Sequence, residues 1–251
     1  SAALLTFPVQ HWVIRQMALD GHSGGVRAAL GRVSWLAAGV AVAEGGAALL
    51  AGDRLFGAAS WAWPCAVAAT AAGAAFMGLV RGLLAGSGRY RAAAVAIGGE
   101  NLVRLAVGCG LLAIDRDPRL LAAALAAGPL IAVLWPGLRH LDPVAGPRPP
   151  TGLVGAAGTG ALLSQVVLNG GPPLVAALGG ADAAVTALFS ALALFRAPYL
   201  VALGLTVRAT APLTRRVEER GRGSLRSVAL AAAGLSAAGA AVTLGLAWPF
   251  G

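Results

Sequence analysis

The sequence predicts an all-α, polytopic transmembrane helix bundle. Three observations carry the prediction. The 251 residues are 58% hydrophobic and only 12% charged, with a mean hydropathy of +0.77; a soluble domain is about a quarter charged. The apolar residues gather into runs near the length that spans a bilayer core as a helix, about 20 residues. The loops between those runs alternate between basic and non-basic.

Residues 1–13 read as the tail of one apolar helix, and full runs follow at roughly 31–51, 58–80, 92–114, 120–137, 152–178, 183–207 and 227–250. No period-two alternation runs through them, which argues against a membrane β-barrel. Gly and Ala recur along the runs, as expected where helix backbones pack closely in lipid. Trp12, Trp35, Trp61, Trp63, Trp135 and Trp248 lie towards run ends, where amphipathic rings favour the interface. The chain opens near the end of an apolar run and stops at "LAWPFG". It therefore reads as an excerpt of a longer membrane protein, truncated at both ends.

Loop charge sets the orientation. Residues 14–30 carry Arg15 and Arg27, residues 81–91 carry Arg81, Arg89 and Arg91, and residues 138–151 carry Arg139 and Arg148. Residues 208–226 carry six more arginines, whereas "GDRLFGA", "DRDPR" and "GGAD" are balanced, nearly balanced or acidic. The positive-inside rule puts the basic set in the cytoplasm. One loop, "RHLDPVAGPRPPTG", is Pro-rich and reads as a linker. It divides the chain into an N-terminal lobe at 1–137, a cytoplasmic linker at 138–151 and a partial C-terminal lobe at 152–251.

Several functions are disfavoured. The net charge of +9 comes from arginines scattered among short loops, with no basic stripe, so nucleic acid is not an expected partner. Cys65 and Cys109 lack CxxC spacing and read as small buried hydrophobes. "GSGRYR" at residues 86–91 has no P-loop Lys and reads as a turn. Without a Ser/His/Asp set, an HExxH or an acidic metal cluster, neither an enzyme nor a cofactor or metal is expected. A membrane glycosyltransferase would have to use the short loop with Asp115 and Asp117.

Polar residues inside the runs are the candidate site. A charge at the bilayer centre costs about 2.5–3.5 kcal/mol on insertion scales, so such groups should face the bundle interior. Glu44 lies in the first full run, Glu100, Asn101 and Arg104 in the third, Gln165 and Asn169 in the fifth, and Arg196 in the sixth. Glu100 and Arg104 share a helix face and can pair, either as a structural lock or as part of a ligand site. Gln165 and Asn169 share a face too, for interhelical hydrogen bonds or for substrate. Arg196 has no acidic partner in its own run; it either pairs with Glu44 or Glu100 or stands in a cavity. "LNGGPPLV" at residues 168–175 interrupts its run, as a hinge or as a kink near the helix end.

Three stretches carry a family resemblance: "FMGLVRGLLAGSGRYRAAAVAIGGENLVRLAVGCGLLA" at 76–113, "LLSQVVLNGGPPLVAALGGADAAVTALFSALALFRAPYLVALGLTVRATAPLTRRVEERG" at 162–221, and "RQMALDGHSGGVRAALGRV" at 15–33. They resemble polysaccharide, or lipid-linked oligosaccharide, flippases of the superfamily that includes multidrug and toxin exporters. The resemblance covers nearly all of the chain through patterns of hydropathy and small residues. It implies a two-lobed flippase/exporter architecture, here from late helix two to helix nine, in a bacterial plasma (inner) membrane. It further implies alternating access and a central cationic cavity for a lipid-linked saccharide, with surrounding membrane lipids as the other partners. By position Arg196 is the first cavity candidate, followed by Arg104 and Glu100. Gly170 to Pro173 depart from the polar pattern of relatives after Asn169. Two alternatives stand beside this reading: an exporter coupled to Na+ or H+, kept open by Glu44 and Glu100, and a non-transporting membrane assembly subunit.

Overall fold

The computed structural model describes residues 2–50, 61–115, 117–130, 141–147 and 170–221, with isolated positions at 152, 159–160, 163, 230 and 234. Apart from turns and the segment 141–147, the described residues are helical, with no strand among them. In chain order they form α1 (Ala2–Asp20), α2 (Gly24–Leu50), α3 (Ala62–Gly86), α4 (Tyr90–Ile114), α5 (Pro118–Ala127), a 3-10 turn (Gly128–Leu130), α6 (Gly171–Ala177) and α7 (Asp182–Arg220). Three of them, α2, α3 and α4, are long and apolar enough to cross a membrane. Their 25 to 27 residues correspond to about 38–40 Å of helix, more than the roughly 30 Å hydrocarbon core.

α3 lies at the centre and packs against α1, α2, α4 and α5. Its pairing with α1 is the tightest, and small residues permit it. A methyl group added at Gly78 would meet the Thr6 carbonyl oxygen at 2.5 Å, one at Gly82 would meet Val13 Cβ at 2.7 Å, and one at Gly86 would meet Met17 Sδ at 2.6 Å. These glycines recur every fourth position, so they form one groove along α3 in which α1 lies parallel. The Thr6 hydroxyl donates to the Ala74 carbonyl at 3.0 Å across the same seam.

The core is built on this pair. Val9, Trp12 and Val13 of α1 pack with Val26, Ala29 and Val33 of α2 and with Leu79 and Leu83 of α3. On the other side Ile14 meets Met77, Val80 and Leu84 of α3 and Ala93 and Ala96 of α4, with Val207 and Ala211 of α7 against them. The outer faces of α2 and α4 are apolar yet uncovered: Leu50 is 90% exposed and Ile114 81%. Exposed apolar surface on this scale suits lipid rather than water.

Several expectations need correction. Residues 14–30 are not a loop, because α1 continues to Asp20, only residues 21–23 turn, and α2 begins at Gly24. Likewise most of 208–226 is helix to Arg220, ending at Gly221 with a φ of +74°. The charged residues in both stretches are good helix formers, so loss of apolarity did not mean loss of helix. Trp12 is 1% exposed inside the core rather than at an interface, whereas Trp35 and Trp61 are exposed. Cys65 and Cys109 are both exposed free thiols, not buried ones; their helices are apolar on the outside too, so an apolar run did not imply burial.

Of "LNGGPPLV", Leu168 and Asn169 lie outside the described residues, and the part from Gly170 onward opens a helix. The Leu174 N–H donates to the Gly170 carbonyl at 3.0 Å, opening α6 at Gly171. Pro172 and Pro173 fall in the first turn, where a missing N–H costs nothing. "GSGRYR" is a turn as expected: Arg89 N–H bonds the Leu84 carbonyl at 2.8 Å, and Gly88 has a φ of +75°. The described part of the linker, 141–147, is docked on the start of α2. Asp142 Oδ2 accepts from the Ser23 N–H at 2.5 Å and the Ser23 hydroxyl at 2.9 Å, and Arg27 donates to the Asp142 carbonyl at 3.2 Å.

Candidate functional site

The buried positions of α4 are Ala93, Ala96, Glu100 and Gly108. Their spacing marks a single helical stripe, and that stripe turns the Glu100 carboxylate inward against α3. The opposite face carries Val95, Leu102 and Leu105, all exposed. A carboxylate held this way in an apolar bundle demands compensation, and it has two partners. Arg104 Nη2 reaches Oε1 at 2.5 Å from one turn along the same helix. Arg81 Nη2, from α3, donates to Oε2 and closes the other side.

Arg81 was counted above as a cytoplasmic loop residue, which the structure corrects. α3 runs five residues further, to Gly86, and Arg81 is buried within it. The sequence held a usable signal. "RGLLAG" keeps two leucines after Arg81, and the first helix breaker is the Gly-Ser-Gly at 86–88. A continuing helical pattern should have outweighed the charge.

The resulting triad has two guanidinium groups on one carboxylate. It is not saturated: Nε of Arg81 and Nε of Arg104 are buried without a hydrogen-bond partner. The Arg104 stem passes over Gly128 of the 3-10 turn, so closely that a side chain at 128 would overlap it. The turn between α5 and the following chain thus helps fix that arginine.

The triad forms one wall of a pocket of about 440 Å3, within the usual range for small-molecule sites. α1 contributes Thr6, Phe7 and Gln10, α4 adds Tyr90 and Asn101, and α7 closes the pocket with Val207 and Arg208. Three arginines face one glutamate among the lining residues, a formal charge of +2. α7 is tied to α1 beside it by a 2.8 Å hydrogen bond between His11 Nδ1 and Thr210 Oγ1. Tyr90 and Arg104 are 14 positions apart on one helix, so the pocket extends about 21 Å along the helix axis, from the α3–α4 turn inward.

The expected site residues divide accordingly. Glu100, Asn101 and Arg104 line the pocket. Asn101 also donates from Nδ2 to the Ile97 carbonyl at 3.0 Å, within its own helix. Glu44 is elsewhere, on α2, with both carboxylate oxygens buried and unpartnered. Arg196 belongs to α7, but its side chain lies outside the described residues, as do Gln165 and Asn169 entirely. Arg81, Gln10 and Arg208 were not expected. No cluster able to hold a metal ion occurs among the described residues. No family model, no curated protein and no solved structure matches the chain.

Proposed function

We propose that the chain is part of a bacterial inner-membrane transporter that flips a lipid-linked saccharide by alternating access between two lobes. The observation that carries the reading is the cationic pocket, in which three arginines stand against one glutamate, Glu100. Guanidinium groups bind phosphate oxygens as forks, and a low-dielectric surround strengthens the attraction. An anionic headgroup such as a pyrophosphate answers that net positive charge. The positive-inside rule puts the α3–α4 turn, and with it the Tyr90 end of the pocket, towards the cytoplasm, the side where lipid-linked precursors are made. α7, from beyond the linker, is the wall whose movement would release the cargo. Arg196 on the same helix joins this reading as a second cationic contact.

The test is surface polysaccharide in cells carrying Arg81→Gln or Arg104→Gln in the whole protein, with membrane levels matched. Loss of export in both supports the reading; unchanged export in both rejects it. One observation favours a second reading, a multidrug or toxin exporter coupled to Na+ or H+. Glu44 keeps two buried oxygens without a partner, and a bound cation or proton would satisfy them. Export that persists in both arginine variants but fails in Glu44→Gln would select it.

A further inference from the structure

α7 carries a weak point beside the pocket. Pro212 lies inside the helix and has no N–H, so the Arg208 carbonyl loses its helical donor and the helix can bend there. Two threonine hydroxyls brace the same turns: Thr210 donates to the Thr206 carbonyl and Thr214 to the Thr210 carbonyl, each at 2.8 Å. A hydroxyl has one proton to donate, and Thr210 has spent it on its own helix. In its 2.8 Å contact with His11, the imidazole Nδ1–H is therefore the donor and Thr210 Oγ1 the acceptor. This bond crosses from α1 to α7, and among the described helices of the first lobe α7 packs mainly on α1 and only lightly on α3. Val207 and Arg208, which close the pocket, stand within one turn of the bond.

We infer that His11 is a positioning residue for the pocket wall: its Nδ1–H, donated to Thr210, holds the α7 segment bearing Val207 and Arg208 against α1, and breaking that bond frees the segment to swing about Pro212. The role belongs to one ring nitrogen. An Asn side chain places its amide nitrogen where Nδ1 stands, whereas Gln places its own where Nε2 stands, so only Asn keeps the bond. The inference rests on the reading above in which α7 is the moving wall, and it names the contact that sets the wall's position.

The experiment measures the wall directly. The whole protein, with Cys65 and Cys109 replaced by Ser, carries spin labels at Val95→Cys on α4 and Leu205→Cys on α7, both exposed positions. Pulsed dipolar spectroscopy in nanodiscs gives the distribution of distances between the two helices. His11→Gln and Thr210→Val should each raise the ratio of the longer to the shorter distance about fivefold, the factor for losing one hydrogen bond. His11→Asn should keep the unaltered distribution, and His11→Gln combined with Thr210→Val should shift it no further than either change alone. A distribution unchanged in both single variants overturns the inference. An equal shift in His11→Asn overturns it too, because the ring and not its Nδ1–H would then be the cause, and so do additive shifts in the double variant. The distances need no cargo: the stated shifts in a protein that moves no saccharide support the tether and reject only the cargo reading.

Discussion

Arg81 and Glu100 stand 19 positions apart, on α3 and α4, and form a buried ion pair through Nη2 and Oε2. Glu100 also holds Arg104, so three ionised groups share one site between two apolar helices. Removing the carboxylate strands two guanidinium groups; removing one arginine leaves the other in place. Glu100→Ala should therefore destabilise the protein by about 3–5 kcal/mol, and Arg104→Ala by less, because Arg104 is the more exposed partner. A double-mutant cycle on Arg81 and Glu100 should give a coupling on the order of 1–3 kcal/mol. Unfolding in mixed micelles measures both quantities, and a coupling near zero would show that the pair has no energetic role.

The α1–α3 seam predicts a contrast between glycines. A methyl group at Gly82 meets Val13 Cβ at 2.7 Å, whereas one at Gly31 on α2 meets nothing within 4 Å. Gly82→Ala should cost about 1–3 kcal/mol through overpacking. Gly31→Ala should be neutral or stabilise by up to about 1 kcal/mol, as a helix gains from the exchange. The same micelle unfolding separates them, and equal effects would contradict the packing described.

The linker contact should depend on pH. Asp142 is held below its ordinary value of 3.8 by the Ser23 hydroxyl first, then by the Ser23 backbone N–H. A carboxyl depressed by folding stabilises fully above its unfolded value and loses that contribution as pH falls through its folded value. The protection factor of the Ser23 amide, its exchange rate set against the intrinsic rate at the same pH, should therefore stay high at neutral pH and fall below about pH 4. Asp142→Asn should show lower protection at neutral pH and no further loss below about pH 4; a profile unchanged from that of the unaltered protein would remove Asp142 as the cause.

Membrane placement is testable through thiols. Cys65 and Cys109 are free and exposed on two of the helices that are long and apolar enough to cross a membrane. In intact membranes, lipid should shield both from a water-soluble maleimide, and detergent should unmask them. Ser87→Cys, in the α3–α4 turn, should label from the cytoplasmic side only. Labelling of that cysteine from outside would invert the orientation.

Much of the helix layout was legible, because runs of apolar residues report where lipid can be. Runs at 58–80 and 92–114 correspond to α3 and α4. What was not legible is where polar sequence stays helical. The end of α1, the end of α3 and the last third of α7 all continue past the hydrophobic limit. That is why Arg81 was misplaced and the triad was seen as a pair. Glu100 and Arg104 could be paired from spacing alone, since helix geometry is local. Their closure by Arg81, and the pocket shared with Gln10 and Arg208, depend on how three further helices pack, which no spacing within one run reveals.

The most direct test of the central claim is a flipping assay. The whole protein is placed in proteoliposomes with a fluorescent polyprenyl pyrophosphate-linked sugar, and loss of signal to an external quencher is followed in time. The account predicts transport by the unaltered protein that falls by an order of magnitude or more in both Arg81→Gln and Arg104→Gln while Glu44→Gln retains it. Transport at the unaltered rate in both arginine variants, with each correctly folded, would contradict it.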